Sequence, residues 1–258
     1  MKAALHAEWT KLRTLAGNGW LLLAVVALTV ALSAAVLTVT TCSATDCAAD
    51  AARVSLSGIY LGQVLVAVLA VLVVSGEYGT GMIRTTLAAM PRRLTMLAAK
   101  AVVLIAAVLV AGTLAVLGSL LAGRIILPGN GFTVENGYRM LSLADGPLLR
   151  AGIGSVCYLI LIALLSLGVA TAVRDSAAAI GVVLGLLYLF PILTQMIRDP
   201  DWQRHLQQIA PMTAGLAVQA TVGLADLPIA PWKGLGVLAA WTAGALIIGG
   251  WLLRSRDA

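Results

Sequence analysis

Six long apolar runs dominate this chain, at roughly 19–40, 56–75, 98–123, 148–173, 177–197 and 234–253. A helix needs about 20 apolar residues to cross the ~30 Å hydrocarbon layer of a bilayer, and each run meets that length. Leu, Val, Ile and Ala fill them without strict alternation, which predicts helices rather than barrel strands. A helix satisfies its backbone hydrogen bonds internally, as lipid requires. Composition points the same way: of 258 residues, 60% are hydrophobic and 11% charged. A soluble domain of this length cannot hide that much apolar surface in one core. The expected fold is all-α, a polytopic membrane protein with six transmembrane helices in a single domain over 1–258. No convincing internal repeat divides it, so the inverted repeats of many secondary transporters are not evident.

Charge sets the expected orientation. With the N-terminus inside, the inner segments carry Lys2, Lys11, Arg13, Arg84, Arg92, Arg93, Lys100, Arg174, Arg254 and Arg256 against Glu8, Glu77, Asp175 and Asp257. The outer segments carry equal numbers of both signs, so the whole formal charge of +6 falls inside. Positive charge resists translocation, which predicts two cytoplasmic termini. The basic balance then reflects topology and contact with anionic lipid, not nucleic acid, since no base-reading motif is present. The first run begins only at Gly19 and is longer than a signal-peptide core, so it reads as a span rather than a cleaved leader.

Residues 1–17 place Leu5, Trp9, Leu12 and Leu15 at helical spacing, with Lys2, Glu8, Lys11 and Arg13 filling much of the remainder. That pattern predicts an interfacial amphipathic helix with Trp9 at headgroup depth. The alternative is a plain flank that only keeps the terminus inside. Residues 76–97 are the first inner loop. Gly79 and Gly81 break the helix, Met82 to Met90 can form about two turns, and Pro91 stops them before Arg92 and Arg93. Charge alone makes this an ordinary polar loop. The segment 198–233 is a longer outer loop, and Arg174-Asp175-Ser176 closes spans four and five into a tight hairpin.

Chemistry-bearing motifs are sparse. The sequence has no Gly-x-x-x-x-Gly-Lys-Ser/Thr phosphate loop, so the chain is not expected to hydrolyse ATP or to act as an enzyme by itself. His6 and His205 fall on opposite sides of the membrane, and no metal-ligand set is expected. Cys42 and Cys47 share the first outer loop, where both a disulfide and two free thiols are open readings; Cys157 reads as a small buried residue in span four.

The opening Glu8-Trp9-Thr10-Lys11-Leu12-Arg13-Thr14, the block Gly76-Glu77-Tyr78-Gly79-Thr80-Gly81-Met82-Ile83-Arg84-Thr85-Thr86-Leu87 and Pro91-Arg92-Arg93 through Lys100 resemble the permease subunit of ABC-2 type transporters. These are the membrane halves of bacterial ABC exporters with the type V architecture. The resemblance runs over the whole chain, to the ending Trp251-Leu252-Leu253-Arg254-Ser255-Arg256. It implies a bacterial plasma-membrane homodimer bound to two separate ATP-binding subunits, which would hold ATP and Mg. It implies a coupling helix within 77–93, with Glu77, Tyr78, Gly79, Thr80, Arg84, Arg92 and Arg93 as the coupling residues. It also implies short re-entrant or surface helices in the 198–233 loop.

In the resembled architecture spans two and five face the twofold axis. They carry Gly58-x-x-x-Gly62 and Gly181-x-x-x-Gly185 here, which makes Tyr60, Gln63, Tyr188, Phe190 and Gln195 candidates to line the path of a hydrophobic or amphipathic cargo. The competing reading is that the glycines pack spans within one subunit and the aromatics face lipid. Three functions stay in view: an exporter permease, a stand-alone carrier or channel, and a membrane enzyme or assembly factor. No charged residue is expected at mid-span, where an ion-driven carrier needs one, and no nucleophile or metal set serves an enzyme.

Overall fold

The computed structural model describes residues 2–14, 16–42, 49–79, 81–82, 93–133, 138, 142 and 145–255. Among them there is no strand, and six helices are long and apolar enough to cross a membrane. The chain is an all-α polytopic membrane protein. Helix α1 (Lys2–Thr14) precedes the first span, α2 (Ala16–Val39). A short α3 (Ala51–Ser55) leads into α4 (Ile59–Gly79), followed by α5 (Arg93–Ile126), α6 (Gly146–Val173) and α7 (Ser176–Met196). Two short helices, α8 (Pro200–Ile209) and α9 (Pro211–Leu216), precede the last span, α10 (Pro231–Ser255). Six crossings put α1, the end of α4 and the α6–α7 turn on one face, and α3, α8 and α9 on the other.

Local chemistry starts and stops these helices. Asp175 caps α7 by accepting from the Ala178 N–H at 2.8 Å, and Asp199 caps α8 by accepting from Asp201 and Trp202. Prolines occupy the first turns of α6, α8 and α9, where their missing N–H costs nothing. Arg174 makes the α6–α7 turn in the left-handed region at φ 67°, and its N–H closes on Ala170 O at 2.9 Å.

Span α6 is the hub. It packs on α4, α5 and α10, and 61% of its most apolar stretch is buried against 22% for α2 and α7 at the periphery. Close approach uses glycine. A Cβ on Gly58 or Gly62 would overlap Thr29 of α2, and Gly58 N donates to Ser33 Oγ at 3.0 Å. Gly168 of α6 and Gly249 of α10 likewise abut each other's helix backbones. A Cβ on Gly181 or Gly185 of α7 would meet nothing within 4 Å. The two Gly-x-x-x-Gly pairs therefore differ: the first packs two spans of one chain, while the second is open on the surface.

On the α3 face, Asp50 caps α3 and accepts from the Thr221 hydroxyl at 2.7 Å, joining the first loop to the segment after α9. Cys42 is disulfide-bonded and Cys157 is free; Cys47 lies outside the described residues. Helix α4 runs on through Glu77, Tyr78 and Gly79, four residues past the end expected from hydropathy, and α5 begins earlier, at Arg93.

Candidate functional site: a polar lattice around the last turn of α4

Lys100 lies about two turns inside α5 and is 1% exposed. A buried ammonium costs several kcal/mol unless it is paired and fully hydrogen-bonded. Its Nζ donates to Glu8 Oε2 at 2.8 Å, Glu77 Oε1 at 2.7 Å and Val73 O at 3.2 Å, which uses all three donors. Lys11 Nζ donates to Glu8 Oε1 at 2.9 Å and to Glu77 Oε1 at 2.7 Å. Among the described residues, two lysines and two glutamates thus form an ionic cluster joining α1, α4 and α5. Burial alone pulls the Lys11 pKa down; its bonds and attraction to Glu77 and Glu8 outweigh that and hold it above the usual lysine value.

The cluster dictates how α1 sits. The expected polar face of α1 included Glu8, but Glu8 is buried between Ala4 and Leu12, one helical turn to either side. Leu12 packs on Val103 and Ala107 of α5, while Trp9 is half-exposed. The stripe that docks is Ala4-Glu8-Leu12, because a carboxylate there meets Lys100.

The other polar groups of α4's last two turns reach further elements. Ser75 Oγ accepts from Ser176 Oγ of α7 at 2.7 Å. The Arg174 guanidinium lies over the Tyr78 ring, 5.4 Å from its centroid, and also bonds Leu252 O at 3.5 Å. Arg93 donates to Leu253 O at 2.8 Å, so two arginines cover the carbonyl end of α10. Gly79 is exposed at the helix end, and Gly81 takes φ 70° with its N–H on Tyr78 O. Of the residues singled out by sequence, Glu77, Tyr78 and Arg93 therefore come together, while Thr80, Arg84 and Arg92 lie outside the described residues.

The second set divides. Gln63 is fully buried; it donates to Tyr188 OH at 2.9 Å and accepts from the buried Tyr158 hydroxyl. Tyr188 OH in turn donates to Tyr60 O at 2.7 Å. Gln63, Tyr188 and Tyr60 thus form one network between α4, α6 and α7. Phe190 packs edge-on to Trp241 of α10 at 6.4 Å, and Gln195 is exposed near the end of α7.

The chain matches no known family model and no curated protein sequence. Among the described residues no three His, Cys, Asp or Glu side chains group to hold a metal, and the lattice itself is largely buried. It can hold helix ends in a fixed arrangement. Sequence reasoning missed Lys100 as a buried group and Glu8 as its partner. The available signal was a lone lysine beside a long apolar run, which requires an acid from another segment.

Proposed function

We propose that the chain is the membrane subunit of an ATP-driven exporter for hydrophobic or amphipathic cargo, powered by separate ATP-binding subunits. One observation supports this most directly. The last turns of α4, immediately before the 80–92 segment, are bonded at once to α1, α5 and the α6–α7 turn. A push on that segment would therefore be felt by most of the bundle, as a coupling element requires. The sequence block that resembles ABC-2 permeases occupies the same stretch. Nucleotide and Mg belong to the partner in this reading, since the sequence has no phosphate loop.

The test is co-expression with a soluble protein that carries a phosphate loop, sought among the products of neighbouring reading frames. Wild type should retain it through purification, and Arg84→Glu should lower retention, because like charges at a partly desolvated contact cost several kcal/mol. Equal retention by both, or by neither, would remove the coupling assignment.

The orientation belongs to the same proposal: bacterial plasma membrane, both termini cytoplasmic, on the charge asymmetry. In a Cys157→Ser background, a membrane-impermeant thiol reagent should label Asp201→Cys but not Lys2→Cys in intact cells. The reverse pattern would invert the topology. A stand-alone carrier is the second reading, favoured by ionisable groups buried at span ends. The lysines that neutralise both glutamates argue against a proton shuttle.

A further inference from the structure

A groove of about 650 Å³ lies between α7 and α10, with α6 as its floor. Both helices pack on α6 and scarcely touch one another. Val169, Ala172 and Val173 from the last turns of α6 form the floor. Val182 and Leu186 of α7 make one side, and Val237 and Ile248 of α10 the other. Val182 and Ile248 are 51% and 55% exposed, so the groove opens sideways, toward lipid in a chain with six spans.

One end of the groove is closed. Trp241 of α10 and Ile209 of α8 line it there. The Trp241 Nε1 donates to Ile209 O at 2.9 Å, and its ring meets Phe190 of α7 edge-on, with centroids 6.4 Å apart. These two contacts tie α7, α8 and α10 together and roof the groove at the end away from α1. The other end runs out at Val173, the last residue of α6, on the α1 face.

Chemistry and length select the occupant. Among the described lining residues, Trp241 alone has a polar side-chain atom, and its N–H is already bonded, so nothing there recognises a charged or hydrogen-bonding group. From Val237 to Ile248 the α10 side is about 16 Å long at 1.5 Å per residue. A span from a second copy needs about 30 Å of uninterrupted surface, whereas the hydrocarbon of one leaflet is about half as deep. The roof therefore stops a helix and leaves room for an extended chain. We propose that the groove holds an acyl chain of a phospholipid from the leaflet on the α1 side, with its terminal methyl under Trp241. Lipid tails are as apolar as the groove, so packing along α6 holds the chain, not exclusion from water.

The test uses the full chain in proteoliposomes containing a phosphatidylcholine with a photoreactive diazirine in one acyl chain, with adducts mapped by peptide mass spectrometry. A mid-chain diazirine should label Val169 on the floor. Gly244 also lines the groove, and a Cβ there meets nothing within 4 Å, so Gly244→Phe fills the space without clashing with the chain's own atoms. It should abolish the Val169 adducts and leave those on exposed Leu28 of α2 unchanged. Val182→Trp fills the groove from the α7 side and decides the matter if Gly244→Phe does not fold. No adduct at Val169, or adducts that survive the filled groove, would overturn the site. A diazirine near the ester should label Val173 and one near the methyl end Leu186; the reverse order would overturn the leaflet assignment. Oxidative cross-linking of Gly244→Cys into a covalent dimer, in a Cys157→Ser background, would give the groove to a second copy and overturn the lipid. None of these outcomes depends on whether the chain couples to an ATP-binding partner.

Discussion

Lys100→Met is expected to destabilise the folded chain by about 3–5 kcal/mol, the cost of removing one partner from a buried ion pair. Glu8 and Glu77 are 4% exposed and accept from Lys100 at 2.8 and 2.7 Å, so the substitution strands two carboxylates with only Lys11 between them. The readout is thermal unfolding of the detergent-purified protein with the recovery of monodisperse material. The control is a triple variant, Glu8→Leu, Glu77→Leu and Lys100→Met, which removes the charges rather than orphaning them. Apolar replacement of a whole buried ionic set is often neutral or stabilising, so this variant should regain much of the loss. If Lys100→Met unfolds at the wild-type temperature, the cluster is solvated and the docking of α1 needs another explanation.

Gly58→Ala is expected to cost on the order of 3 kcal/mol, at the upper end of the overpacking range. The added methyl would overlap the Thr29 carbonyl oxygen, a backbone atom that cannot rotate away, and would disturb the bond from Gly58 N to Ser33. The same change at Gly181 or Gly185 meets open space and should leave the stability of the isolated chain unchanged or slightly raised, since alanine favours helix. Thermal unfolding of the three variants side by side checks this. Similar losses at all three positions would mean that α7 is packed in the folded protein in the way α4 is.

The contrast between those glycine pairs shows what the sequence could and could not convey. The two motifs are identical in spacing, and nothing in the residues themselves says which one meets a neighbour within the chain. Burial depends on how the spans are arranged, which local pattern does not encode. Span positions were legible because hydropathy over about 20 residues is a strong signal. Span ends were less so: α4 extends through Glu77 because its charge is neutralised by Lys11 and Lys100 from distant segments. A helical-wheel reading of α1 put Glu8 on the water side for the same reason, since it could not see Lys100. Tyr78 and Arg93 were identified for their place in a motif, whereas their contacts with Arg174 and with the end of α10 could be found only in three dimensions. Gln63 and Tyr188 were singled out as neighbours of a path; the hydrogen bond between them emerges only when α4 and α7 are placed side by side.

Reconstitution with an ATP-binding partner recovered by that co-expression tests the central proposal most directly. Proteoliposomes containing this chain and that partner should move a fluorescent amphipathic cargo only when ATP is supplied, with cargo raising the rate of ATP hydrolysis. Arg84→Glu should reduce both together, while the chain alone should be inactive under any ion gradient. Cargo movement by the chain alone, driven by a proton or sodium gradient and indifferent to ATP and to the partner, would contradict the account and establish a stand-alone carrier instead.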